Sequence, residues 1–381
     1  MYDVVVIGAG PCGSAAAQVC AENGLKTLLI EEHATIGYPV QCAGLISTNA
    51  FAECNVSKKS VIREVCGARM VSGTGCELLF DAGVTKAYVV DRGRLDFEMA
   101  ENAVRAGADI QVKSSVYDID GRDLLVKGVN GRQRIPFKVI IAADGPRSLL
   151  SRIYGMKRPP VYLSGIQADI PLQMDERYVE LHPYASPDFF GWVIPSESGT
   201  ARIGICGTGD VNQHFNKFRK NFSSQCMNLV TGTIPLGVMP KTYGNRTFFV
   251  GDAAGFAKPT SGGGIYTGVR SARHAAGVAV DCCKQERFDD KALSEYEKLW
   301  QDDFGRELSV GLKLFRMRQH ISDKQIHSLC QVFYEPEMIE TIVRYGDMDR
   351  PGELVKRLVM KPAMLKAFGL AFCSELRSFI K

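Results

Sequence analysis

Gly8, Gly10 and Gly13 follow the spacing G-x-G-x-x-G. They come directly after the apolar run DVVVI and directly before GSAAAQVCAENG. The chemistry this arrangement serves is phosphate binding. The first glycine permits a tight turn, the second lets the backbone approach a pyrophosphate, and the third lets helix and strand pack closely. A helix starting here points its unpaired amides at the phosphates. Cys12 lies in the same turn, with its backbone toward the dinucleotide. KTLLIEE, the next apolar run, carries Glu31 at its end, placed to accept hydrogen bonds from a ribose. Glu32 is a rival, one residue farther from the strand. NAD and FAD both fit this unit.

Four further stretches carry residues able to do chemistry. VIIAADGPRSLLSR holds Asp144-Gly145, then Ser148 and Arg152. RTFFVGDAAGFAKPTSGGGIYTG holds Gly251-Asp252, Pro259 and the glycines 262 to 264. GYPVQCAGLIS sets Cys42 just past the nucleotide unit, and FGWVIPSESGTARIG carries one of only two tryptophans, Trp192. The twelve cysteines form no C-x-x-C pair, and the six histidines show no H-E-x-x-H spacing, so no metal site is expected. Most of the thiols read as buried and free, as in a reducing cytosol.

These residues must be held by folded elements. DVVVI lacks alternation, as expected of a parallel strand buried on both faces. The small residues after it suit a helix pressed against the sheet, which Gly24 ends. The sequence predicts a helix from about Leu95 to Ala106, and a hairpin around Asn130-Gly131. From about Val161 to Gly207 the alternation of RYVELHP, FFGWVIP and TARIGIC predicts antiparallel strands. HFNKFRKNFSSQCMNLV reads as a helix, and the chain from about Asp289 reads as helical. The expected fold is mixed α/β and α+β. A discontinuous Rossmann-like domain (1–158 and 236–288) is interrupted by an antiparallel-sheet substrate domain (159–235) and followed by a helical region (289–381). With 45% hydrophobic residues, 23% charged residues and a net charge of +4, the 381-residue chain is globular and not built for nucleic acid. A first strand at Tyr2 leaves no room for a signal peptide, and no apolar run reaches bilayer length. The expected location is cytosolic, or peripheral at a membrane surface.

The aspartate-bearing stretches and the glycine turn resemble the motifs of the FAD-dependent monooxygenase and reductase superfamily typified by p-hydroxybenzoate hydroxylase. The resemblance implies that Asp252 binds the ribityl chain. It further implies that Gly263, Gly264 and Ile265 open a helix beneath the flavin pyrimidine, and that Arg92, in VVDRGRLDFEMA, touches the cofactor. Asp144 and Val116 are carried as further cofactor contacts. Within that superfamily, GYPVQCAGLIS resembles the segment after the second strand of archaeal and plant geranylgeranyl reductases. This sets Cys42, with Ala43 and Gly44, beside the flavin near the substrate. Phe190, Trp192, Pro195 and Gly204 fit the same family's aromatic-x-Trp-x-x-Pro…Gly signature. The resemblance spans most of residues 1 to 285.

What it implies is an FAD-dependent reductase of polyprenyl C=C bonds, with geranylgeranyl chains of archaeal-type ether lipids as substrate. The reduced electron donor would be ferredoxin, a deazaflavin or NADPH. Flavin supplies the hydride. An isolated alkene accepts a hydride poorly, so a proton must reach the other carbon, and Cys42 either donates it or shapes the cavity. Phe190, Trp192 and Pro195 would line an isoprenoid channel. The basic stretch 353–381, with six lysines and arginines against two glutamates, either rests on an anionic membrane or packs as a helix pair. Three competitors stand beside this reading. They are an aromatic hydroxylase using oxygen, a quinone-linked electron-transfer flavoprotein, and a non-catalytic flavin or lipid carrier.

Overall fold

The computed structural model describes residues 1–73, 75–222, 225–321 and 323–364. Its first sheet is eight-stranded, and six of its strands run in the order Tyr243–Gly244, Thr247–Phe249, Gly131–Ala142, Tyr2–Ile7, Thr27–Ile30, Asp109–Gln111. From Thr247–Phe249 to Asp109–Gln111 every pairing is parallel. Val4, Val5 and Val6 are fully buried, as unbroken apolarity demands of a central parallel strand. The hairpin expected around Asn130-Gly131 joins Asp123–Gly128 to the long strand Gly131–Ala142. Helix Pro11–Glu22 packs against the 21-residue helix Ile265–Gln285 and against helix Arg92–Arg105. The last of these starts three residues earlier than expected, because the Asp91 side chain caps it by accepting from the Arg94 N–H.

A second sheet of seven strands runs Asn228–Leu236, Val161–Pro171, Thr200–Gly207, Gly191–Pro195, Tyr178–His182, Gly67–Val71, Glu77–Asp81. The expected antiparallel sheet is here, but it extends beyond 159–235. Its last two strands come from residues 67–81, and Gly67–Val71 joins Tyr178–His182 in parallel. The helix expected over HFNKFRKNFSSQCMNLV is Val211–Arg219, and the end of that stretch is already strand Asn228–Leu236. Phe215 and Phe218 of the helix cover one face of the sheet with Val193, Ile203 and Ile205. A three-stranded sheet (Leu45–Ser47, Ala87–Val90, Val61–Val65) packs Val65, Ala87 and Val89 against Val179 and Ile194 of the second sheet.

The C-terminal region is helical as expected, from Asp290–Trp300 through Gly352–Val359, and includes a π-helical turn at Gln301–Gly305. Most of the basic stretch 353–381, and so the membrane-contact expectation, lies outside the described residues. Among the described residues no helix is long and apolar enough to cross a membrane, and no group of three or more His, Cys, Asp or Glu is arranged to hold a metal.

Candidate functional site

The glycine turn is built as its spacing requires. Gly8 has φ +96°, and a Cβ there would meet Ala143 O at 2.4 Å. A Cβ on Gly13 would lie 1.8 Å from Gly8 O. At Gly10 nothing stands within 4 Å, so the one glycine not needed for packing faces open space at the helix N-terminus. Pro11 occupies the first helical turn, where no N–H is missed. Glu31 ties this turn to the strand end, its Oε2 accepting from Ala9 N at 2.8 Å. Its other oxygen accepts from His33 N at 2.9 Å and meets the His33 ring at 2.7 Å.

Beyond the turn, Arg92 donates to both oxygens of Asp96, at 3.0 and 2.9 Å. Burial works against the guanidinium charge, but Asp96 outweighs it and raises its pKa further. Asp252 faces the same space, and burial pushes its carboxyl up to about 6 despite Arg92. Asp144 accepts from Leu149 N at 2.7 Å through Oδ2, while its buried Oδ1 has no partner. The Cys12 side chain does the packing here. A Cβ on Gly251 or on Gly268 would meet its Sγ at 2.6 Å, so both positions must be glycine-sized. Burial pushes this thiol up, which keeps it inert.

These groups open into a cavity of about 1210 Å³. That exceeds the ~300–1,000 Å³ of ordinary ligand pockets, leaving room for a second molecule beside a cofactor. Gly10, Cys12, Cys42, Ala43, Arg92, Asp252, Gly263, Gly264 and Ile265 all line it, as do Phe190 and Trp192. Phe189 and Phe190 stack at 4.5 Å, and the Trp192 indole lies over Gly204, where a Cβ would come within 2.3 Å. Leu314, Phe315 and Ile342 extend the apolar wall into the C-terminal helices.

Several expected residues stand elsewhere. Pro195 does not line the cavity. Alternation along the strand turns Phe190, Trp192 and Ile194 inward and Pro195 away. Gly8, Gly13 and Gly44 act behind the wall as backbone turns. Gly44 has φ +78°, and a Cβ there would meet Val90 O at 2.7 Å. Glu31 and Val116 do not line the cavity; Glu31 sits beside the glycine turn at the strand end, where Ser114 N also donates to Glu31 O at 2.8 Å. Sequence reasoning missed Gln167 and Arg202, which pin the Cys42 segment to the antiparallel sheet. Gln167 Nε2 donates to Cys42 O at 3.0 Å, and Arg202 Nη1 to Ala43 O at 2.8 Å. Arg202 is itself held by Asp169 at 2.8 Å. It missed Lys258, Asp349 and Ser47 as well. Nothing in the local sequence of any of these five residues marks them.

An open Gly10, an unpaired Asp144 oxygen, a cavity-facing Asp252 and an uncapped glycine helix start are what a dinucleotide with a ribityl chain needs, so the donor set fits FAD. Residues 1–232 match the sequence family described as FAD binding domain. The chain is 30% identical over 348 residues to digeranylgeranylglycerophospholipid reductase 2 of Methanothermobacter thermautotrophicus, spanning 86% of this chain and 90% of that one. The chain belongs to this family of FAD-binding proteins. A second family member, digeranylgeranylglycerophospholipid reductase of Methanocella arvoryzae, is 30% identical over 96% of this chain and 97% of its own. The crystal structure of a geranylgeranyl bacteriochlorophyll reductase-like protein from Thermoplasma acidophilum superposes with a TM-score of 0.83 at 28% identity, covering 94% of this chain and 98% of that one. The family fold thus extends through the C-terminal helices, beyond the 285 residues that the sequence motifs reach.

Proposed function

We propose that this chain is an FAD-dependent reductase that hydrogenates the C=C bonds of geranylgeranyl or similar polyprenyl chains, with archaeal-type ether lipids as substrate. One observation carries the reading. A single large apolar cavity joins the Arg92–Asp252 end, where FAD belongs, to the Cys42 segment and the Phe190–Trp192 wall. The relatives named for digeranylgeranylglycerophospholipid reduction support the same substrate class.

Gly10, Asp144, Asp252 and the glycine turn 262–264 would hold the cofactor. When bound, FAD supplies the hydride. The chain must then supply dryness, placement and a proton. Phe190, Trp192, Phe315 and Ile342 exclude water and hold an extended hydrocarbon. Cys42 is the proton source in this proposal, and its Sγ is held by the hydrogen bond it accepts from Gly44 N at 3.4 Å. Gln167 and Arg202 fix the consecutive carbonyls of Cys42 and Ala43, so the thiol stays within reach of a carbon held in the cavity. The electron donor would be ferredoxin, a deazaflavin or NADPH.

The test is anaerobic. The FAD-loaded protein is reduced with dithionite and mixed with a geranylgeranylated ether lipid, and the lipid is followed by mass spectrometry. Stepwise gain of hydrogens in pairs is the expected result. An unaltered lipid beside fully reduced flavin overturns the proposal.

A further inference from the structure

Lys258 and Asp349 form a buried ion pair that the reading above does not use. The Lys258 Nζ lies 2.5 Å from Asp349 Oδ1 and 2.8 Å from Met348 O. The two side chains are 9% and 1% exposed. Asp349 Oδ2 also accepts from Ser47 Oγ at 2.5 Å, and Ser47 caps helix Thr48–Cys54. The carboxylate comes from a segment 91 residues downstream of the lysine.

Lys258 belongs to the turn that starts helix Ile265–Gln285. Its backbone N–H donates to Gly263 O at 3.0 Å, and its carbonyl accepts from Gly262 N at 2.8 Å. Its side chain then folds back over the turn. The heavy atoms nearest to a Cβ placed on Gly263 are Lys258 Cε at 3.4 Å, Ser261 Oγ at 3.5 Å and Lys258 Nζ at 3.7 Å. The next residue, Gly264, is the N-cap and carries no side-chain cap. On its other side a Gly264 Cβ would meet Asp252 Oδ1 at 3.0 Å. The helix start is therefore flanked by one ammonium and one carboxylate. Arg92, another cation lining the cavity, is paired with Asp96.

A buried ion pair is a poor tether, because desolvating both charges offsets most of their attraction, and an apolar contact would hold segment 347–351 equally well. A fixed cation at a helix N-terminus does something an apolar contact does not. It adds to the positive end of the helix dipole and favours negative charge placed there. Reduced flavin carries more negative charge than oxidised flavin. We infer that the Lys258–Asp349 pair sets the reduction potential of the bound FAD, with Lys258 raising it and Asp349 moderating that effect from the C-terminal region.

The inference rests on FAD binding alone and not on the identity of the alkene. Its test reads only the flavin, so failure of the substrate reading leaves it standing. The midpoint potential of the FAD-loaded protein is measured anaerobically by dye equilibration for wild type, Lys258→Met, Lys258→Arg and Asp349→Asn. Lys258→Met is expected to weaken reduction at least tenfold in the two-electron equilibrium constant, about 30 mV. Asp349→Asn keeps its hydrogen-bond acceptor and is expected to strengthen reduction at least threefold, about 14 mV. Lys258→Arg is expected to stay within threefold of wild type. If Lys258→Met does not retain flavin, the charge-free double variant Lys258→Met/Asp349→Leu is expected to reduce at least threefold less favourably than wild type. Shifts of the same sign in the two single variants, or potentials within twofold of wild type beside a lowered melting temperature, would make the pair a tether and overturn the inference.

Discussion

Replacing Asp252 with asparagine separates what the FAD site needs from what the fold needs. In the FAD-free chain the Asp252 carboxyl titrates near 6, because burial strips its solvent, against an ordinary value of 3.8. A raised carboxyl pKa means the folded chain holds a proton that the unfolded chain has lost. Stability therefore falls as pH climbs from about 4 to about 6 and stays lower above that window. Ionising such a group at neutral pH costs about 3 kcal/mol at 1.36 kcal/mol per pH interval, and water in the cavity reduces this to about 2 kcal/mol. Asp252→Asn removes the charge and keeps the shape. Urea unfolding of the FAD-free chain at pH 7.5 should show the variant more stable than wild type by about 2 kcal/mol, with an unchanged m-value. At pH 4.5 the gap should shrink to about a third, because the wild-type carboxyl is then mostly protonated in the folded chain but still mostly ionised in the unfolded one, and near pH 3 it should close. FAD affinity of the variant should meanwhile fall at least tenfold, about 1.4 kcal/mol, through loss of a charged acceptor. A wild-type-to-variant difference that does not change with pH would refute the claim that Asp252 is a desolvated, cavity-facing acid.

Four further outcomes follow from the same geometry. Gly10→Ala should leave the FAD-free fold within about 1 kcal/mol of wild type yet lose flavin, because its Cβ enters only the space meant for pyrophosphate. Gly13→Ala should cost about 2–4 kcal/mol in thermal or urea unfolding, because its Cβ falls 1.8 Å from Gly8 O; equal effects from the two variants would contradict the division of labour in the turn. Cys42→Ser should keep FAD binding and slow alkene reduction about a hundredfold in single-turnover measurements, whereas unchanged turnover would remove the proton-donor role. Arg202→Met should destabilise the fold by about 2 kcal/mol through the lost contacts to Ala43 O and Asp169 and should raise KM while FAD is retained, with Arg202→Lys restoring part of both.

What could be read from the chain before folding was whatever is decided locally. The Gly8–Gly13 turn, helix Pro11–Glu22 and the hairpin at Asn130-Gly131 each depend on residues within a dozen positions of one another. The Arg92 and Asp252 motifs are short for the same reason, since each places one side chain on one turn or cap. Pro195 failed although the rule that excludes it is local. Period-two alternation from Trp192 already turns it to the opposite face, and only the motif spacing drew it in. Strands Gly67–Val71 and Glu77–Asp81 were missed because their partner, Tyr178–His182, is set by tertiary pairing. Lys258 with Asp349, and Arg202 with the Ala43 carbonyl, are invisible in sequence for that reason as well. A lysine and an aspartate far apart in the chain have no local feature that announces burial.

The parallel pairing of Gly67–Val71 with Tyr178–His182 also bears on how the chain is made. The hairpin 67–81 leaves the ribosome about a hundred residues before the strand that closes it, and Tyr2–Ile7 waits still longer for Gly131–Ala142. At ~5–20 residues per second those edges stay unpaired for several seconds. Neither large sheet can assemble from one end, so the nascent chain depends on slow, long-range pairing. Chaperone occupancy during synthesis, and aggregation when synthesis outruns it, should therefore centre on these early strands rather than on the late helices.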